Sequence, residues 1–532
     1  MKPVFTFRLL CSFVTLVLIT HHAYATNTLV HYVNILAIGT NDGTSWTNAY
    51  PDIQSAINIA AIGDEIWVAG GTYFPTTTHG DTTSLNKTFY INKGIKLYGG
   101  FEGIAGSEGQ FGSRNIIIYR TILSGDLGVT DTLADNALNV IWLDHVGFDM
   151  VLDGITIRDG FGNSGCGIYN DGSETGSSSP TIANCIFTKN KSVNEGGAVL
   201  NLGSNGETVP LFINCLFSDN FASGGGAVTN LANPNGNASP VFINCQFKGN
   251  SGPTAGGGAI ENIAVSGGTT SPQLFNCLFS GNLSLFSGAF HSFAGGGSIC
   301  NPYLVNCTFS GNAGGSFSTS AIGGSVANPV IKNSIFWNNS GGGGITQNGA
   351  NTTVTYSLVP FGVFPGEGNI GLDPQFVNTP DFNTAPNTEG DLHLTEGSIA
   401  INAGDNSALN PNITTDLDGL PRIQPENGGA GIVDMGVYEF KPIPVGVSEI
   451  RLRNNWNIFP NPSASSVSIS IDSDHPSGWL RIVDISGKMI LQNIVEANTS
   501  EYSVDVRKLP SGVYTIQLIF NGYYSSKKLM IE

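Results

Sequence analysis

The chain has 532 residues, 70 of them glycine, with 12% charged residues and a formal net charge of −18. So much glycine and so little charge argue against a helical bundle, and the length calls for several domains or one elongated repeat. The negative balance argues against nucleic acid or an anionic membrane surface as a partner.

Residues 1–25 read as an export signal. Lys2 and Arg8 precede the apolar run LLCSFVTLVLI, and Ala23-Tyr24-Ala25 supplies a small-residue cleavage site. No later stretch is long enough to span a bilayer, so the mature chain is expected to start near Thr26 without a transmembrane span. Cys11 leaves with the signal. Seven of the eight cysteines remain, and an odd number rules out complete pairing within one chain. Next, Asp52 is placed to cap a short helix whose Ile53, Ala56, Ile57 and Ala60 share one face, a lid for the open end of a solenoid. The strands IWVAGGTY, IKLYGGF and RTILSGD follow.

From there one line is written six times. Cys185, Cys215, Cys245, Cys277 and Cys307, then Ser334, recur at steps of 30, 30, 32, 30 and 27 residues. Two positions on stand Phe187, Phe217, Phe247, Phe279, Phe309 and Phe336; one position before stand Asn184, Asn214, Asn244, Asn276, Asn306 and Asn333. A further column, Asn190 to Asn339, lies five positions on, and Ile182, Phe212, Phe242, Leu274, Leu304 and Ile331 lie three before the Cys. A fixed period of this length signals a solenoid. Cys and Phe two apart share a strand face. The apolar column three before can face inward too only if the chain bends between, and Asn suits a left-handed bend. Gly-Gly-Ala-Val and Gly-Gly-Ala-Ile at 196–199, 225–228 and 257–260 mark a second corner, with degenerate copies at 165–168 and 323–326. The fold expected for residues 26–440 is all-β, a right-handed parallel β-helix in which each coil needs a copy above and below. Near Ile155 and Ile157, and again at Val354–Val359, the pattern runs on without Cys.

A Cys column invites disulfide or metal readings. In-register Cβ vectors stay too far apart for the first, and a column does not converge as the second requires. Buried free thiols acting as small hydrophobes are the expectation, with Cys166 and Cys300, both off the ladder, left open. Residues 441–449 (KPIPVGVSE) read as a linker. The short alternating strands of 450–532 suggest a small β-sandwich.

The stretch NDGTSWTNAYPDIQSAINIAAIGDEIWVAGGTYFPT resembles the N-terminal region of bacterial exported, pectin-lyase-like β-helix proteins. The GGA[IV] and FxxN units resemble the polymorphic outer membrane protein repeat, and Asp373 to Phe440 resembles the closing region of the same proteins. In the tail, Pro460, Asn461 and Pro462 (FPNPS), Gly487 (DISGK), Gly512 and Tyr514 (LPSGVY), and Lys527 and Lys528 (KKL) resemble the Ig-like C-terminal sorting domain of the type IX (Por) secretion system. That resemblance implies the type IX machinery as a partner. It also implies passage through the periplasm and across the outer membrane, removal of the domain, and secretion or cell-surface attachment.

Chemistry is hard to find. Hydrolysis needs two convergent carboxyls. The outward columns beside the ladder hold Ile186, Leu216, Gln246, Leu278, Thr308 and Ile335 one after the Cys, and Thr188, Ser218, Lys248, Ser280, Ser310 and Trp337 three after it. Neither holds an acid pair. Asp405, Asp416, Asp418, Asp434 and Glu439 gather with Arg422 in the closing region, where salt-bridge and turn roles are expected; His291 is read as structural. No catalytic residue and no cofactor is assigned, and a metal site is left open. The outward apolar columns, with Ala183, Ile213, Ile243, Phe275 and Val305 two before the Cys, suit an adhesin that binds a glycan or a host or partner surface. The alternative is a polysaccharide lyase or glycoside hydrolase with its site in the loops.

Overall fold

The computed structural model describes residues 28–254, 256–285, 288–341, 344–360, 364–424, 431–441, 456–471, 478–484, 489–507, 509–520 and 523–532. The chain divides into two compact units, Met1–Phe440 and Lys441–Glu532. The export signal and all of the linker but Lys441 lie outside the described residues.

The first unit is a parallel β-solenoid. One coil runs through Leu211–Ile213, bends, continues as Leu216–Ser218, and passes the glycine corner into Val228–Ala232. Val241–Ile243 then opens the next coil, with Leu211 paired to Val241, Phe212 to Phe242 and Ile213 to Ile243. Repetition builds parallel sheets of eleven, nine and nine strands among the described residues. The bend is made by Asn184, Asn214, Asn244, Asn276, Asn306 and Asn333, all left-handed with φ between 50° and 54°. An L-residue pays least there when it is Asn. At the other corner Gly196 and Gly225 have φ 58° and 56°, where a Cβ on Gly196 would lie 2.2 Å from the Val199 carbonyl.

Stacking identical residues gives the core. Phe187 and Phe217 lie face to face with centroids 4.7 Å apart, and the stack continues through Phe247, Phe279, Phe309 and Phe336. Phe212 and Phe242 form a parallel stack that meets the first edge-on. At the N-terminal end the helix Ile53–Ile59 buries Ile53, Ala56 and Ile57, and Asp52 caps it by accepting from the Ser55 amide at 2.9 Å.

The outward columns do not form the open surface expected of them. The segment 373–440 folds back along the second sheet, where Phe376, Leu392, Leu394, Met435 and Val437 cover Leu278 and Ile335. Ala408 and Ile413 likewise pack on Phe275 and Val305. Thr308 is buried too, its hydroxyl accepting from the Val437 amide at 3.0 Å. Among the residues one after the Cys, Ile186, Leu216 and Gln246 stay half exposed. From Phe275 and Leu278 onward the apolar ladder is an internal seam, while the earlier coils leave it half exposed, a narrower surface than expected.

The second unit pairs a three-stranded with a four-stranded antiparallel sheet. Val467, Ile469, Leu480, Ile482, Ile516, Leu518 and Leu529 fill its core around Trp456.

Candidate functional site

The stacked columns tie coil to coil with hydrogen bonds. Asn214 Nδ2 donates to Asn184 Oδ1, and Asn244 to Asn214, each at 3.2 Å. A buried ladder runs through Asn190, Asn220, Asn250, Asn282, Asn312 and Asn339, each amide donating to the Oδ1 of the next at 2.7–3.1 Å. A further buried ladder on the third sheet, Asn170 to Asn201 to Asn230 to Asn262, escaped the sequence reading because only one residue per coil marks it.

Cys185, Cys215, Cys245, Cys277 and Cys307 are buried and free, as are Cys166 and Cys300. Each ladder thiol lies within hydrogen-bonding reach of the carbonyl two residues back, from 3.2 Å for Cys185 to 3.6 Å for Cys307. Ser334 repeats the pattern, donating to the Lys332 carbonyl at 2.8 Å. The column is therefore a set of weak donors as well as small apolar groups. Burial pushes the Cys185 thiol up to about 12 and Cys300 to about 11.

Among the clusters of ionisable groups outside these ladders, two bring acids close together in the solenoid wall and the closing segment. Glu195 ends the strand Lys191–Glu195, and Glu261 lies two coils further on in Ile260–Val265. Both reach over Gly224, where a Cβ would sit 2.2 Å from Glu261 Oε2 and 2.9 Å from Glu195 Oε2. Thr229 Oγ1 donates to Glu195 at 3.3 Å, and His291 Nδ1 lies 3.4 Å from Glu261 Oε1. Burial, then the facing charge of Glu261, pushes Glu195 up to about 7. This is the acid pair that the sequence did not display. Glu261 is only 6% exposed and so closed to a polymer, while Glu195 is half-buried.

The second cluster lies in the closing segment. His393 bonds Asp391 Oδ1 through Nδ1 at 2.5 Å and Asp418 Oδ2 through Nε2 at 2.7 Å, and its ring stacks on Tyr438. Partial burial works against its charge, but these two carboxylates overcome it and raise its pKa. Nearby, Asp416 accepts from the Asp418, Leu420 and Glu439 amides, and Asp434 from Asn402 and Phe440. Asp405 caps a short turn through the Ser407 amide. These acids hold turns. Among the described residues no group of three or more His, Cys, Asp or Glu is placed to hold a metal ion.

A concave site lies elsewhere on the solenoid. Where the last coils meet the closing segment, a pocket of about 460 Å³ is lined by Trp337, Asn338, Ser340, Pro360 and Phe382 among others. That volume is within the range of small-molecule sites. Asn338 Nδ2 is spent on the Pro380 carbonyl at 2.9 Å, while Ser340 Oγ accepts from the Gly314 amide at 2.6 Å. Trp337 appeared in the sequence as the odd member of its column; Pro360 and Phe382 carried no signal.

In the C-terminal unit the motif residues hold the last strand. Asn461 Nδ2 donates to the Lys528 carbonyl at 2.7 Å, and Asn461 Oδ1 accepts from the Met530 amide at 2.8 Å. Pro460 and Pro462 flank it, each after a cis peptide bond. Tyr514 donates its hydroxyl to the Pro510 carbonyl at 2.8 Å, two residues before Gly512. Lys527 bonds Asn457 and lies over the Trp456 ring. Gly487 lies outside the described residues. Residues 457–532 match the family model of the secretion system C-terminal sorting domain. The chain carries a sorting domain. Among solved structures, the crystal structure of pectate lyase Pel9A aligns with 78% of this chain and 97% of its own, at 15% identity and a TM-score of 0.43. No curated protein matches. Outside the sorting domain, as within it, no described helix is long and apolar enough to cross a membrane.

Proposed function

We propose that this is a protein exported by the type IX machinery, after passage through the periplasm, and either secreted or held at the outer-membrane surface. There its solenoid serves adhesion or glycan binding and has no catalytic role. The sorting domain at 457–532 is the observation that carries this reading, since an address of that kind sends its cargo out of the cell. The resemblance of the repeats to polymorphic outer membrane proteins agrees with a surface role. With the apolar seam covered, the Trp337 pocket becomes the favoured contact point.

The alternative, a polysaccharide lyase or glycoside hydrolase, gains some support from Glu195, an acid whose pKa is raised by burial and by the facing Glu261 carboxylate. The burial of Glu261 tells against it. Incubating the secreted protein with a panel of acidic and neutral polysaccharides separates the two. Retention of polymer without new reducing ends or unsaturated products supports binding; released products would establish an enzyme.

A further inference from the structure

We infer that the Trp337 pocket takes a neutral, hydroxyl-rich sugar segment and rejects polyuronates, a conclusion that rests on the glycan-binding reading above. The polar groups left over at the pocket wall set the ligand class. Asn338 spends its amide N–H on Pro380, so its Oδ1 remains as an acceptor. Ser340 already accepts through Oγ, so its hydroxyl proton remains as a donor. Trp337 adds an indole N–H and an apolar ring, and Phe382 a second ring. Sugar hydroxyls both donate and accept, so they can satisfy this mixed set, while their C–H faces suit the rings. A uronate carboxylate only accepts, and needs a cation or several donors when removed from water. No lining residue is charged. The charge adjoining Phe382 in the chain is Asp381, an exposed carboxylate that would repel a polyanion.

The test is calorimetric titration of the full chain with neutral gluco-, xylo-, manno- and galacto-oligosaccharides and with oligogalacturonate. Trp337→Ala and Phe382→Ala are run beside the parent, with thermal melts confirming that the solenoid is folded. Phe382 sits on an exposed turn of the closing segment, so its loss spares the coils. The expected result is binding of at least one neutral series, weakened tenfold or more in both variants, and no binding of oligogalacturonate. Oligogalacturonate bound more tightly than every neutral series, and lost in Trp337→Ala, would overturn the ligand class while leaving glycan binding intact. Neutral binding undiminished in both variants would overturn the pocket but not the broader reading. No binding by any series would overturn both.

Discussion

Arg422 Nη2 donates to Asn276 Oδ1 at 2.6 Å, at the step of the corner ladder where Asn306 would otherwise donate. Asn306 turns its amide instead to the Asp434 and Gly436 carbonyls. The closing segment is thus built into the solenoid's own bonding scheme. Arg422 is 1% exposed, pairs with Glu439 at 2.9 Å, and also donates to the Gly436 and Val437 carbonyls.

Arg422→Ala leaves Glu439 buried without its cation and takes one of two donors from each of the Gly436 and Val437 carbonyls. Removing one member of a buried pair costs about 3–5 kcal/mol. The variant should melt earlier and exchange amide hydrogens faster across 373–440 than across the Phe stack. Parent-like exchange in that segment would mean that the apolar seam alone holds it.

Phe247 stacks on Phe217 and Phe279 at 4.7 Å on each side and is fully buried. Phe247→Ala should cost about 3–5 kcal/mol, because rigid coils above and below prevent collapse into the cavity. Denaturant titration measures the loss. A midpoint equal to the parent's would show that the column does not bear the core.

The ladder thiols should resist alkylation in the native protein and react once it unfolds, because all five are buried away from the reagent. Mass spectrometry after a pulse of iodoacetamide gives the readout for Cys185 to Cys307. A native disulfide between neighbouring ladder cysteines would contradict the parallel geometry.

Glu195 gives stability a pH dependence of definite sign. Its folded pKa of about 7 lies above the ordinary value of 4.5, so its contribution is fully present below about 4.5 and is lost as pH rises through about 7. His393, also raised in the fold, adds a loss of the same sign above its unfolded value of 6.5. Melting temperature should therefore fall between pH 5 and pH 8. Glu195→Gln should flatten that fall and stabilise the protein at pH 8, since a neutral amide can donate to Glu261 at any pH. An unchanged slope in the variant would remove the pair from the account.

The solenoid could be read in the sequence because parallel, in-register coils place the same residue in the same environment every 30 residues or so. Asn214, Cys215 and Phe217 each answer one local demand: a left-handed bend, a small donor and a flat stack. What was hidden depends on partners without a period. Leu278 looks outward by alternation, and its cover by Leu392 and Met435 comes from a segment more than a hundred residues away. Glu195 and Glu261 are unremarkable singly and meet only because two coils separate them. Phe382 reaches the Trp337 pocket from a turn that has no counterpart in the repeat.

Destination is the central claim, and the C-terminal unit has its own core and its own sheets, so its loss should leave the solenoid folded. The direct measurement is fractionation of native-host cells expressing the full chain or a chain lacking residues 450–532, with the protein detected by an antibody against the solenoid. The full chain should reach the surface or the medium, trimmed near residues 441–449. The truncated chain should be folded and retained in the periplasm. Truncated protein reaching the outside in normal amounts would contradict the sorting role and leave 450–532 as an accessory domain.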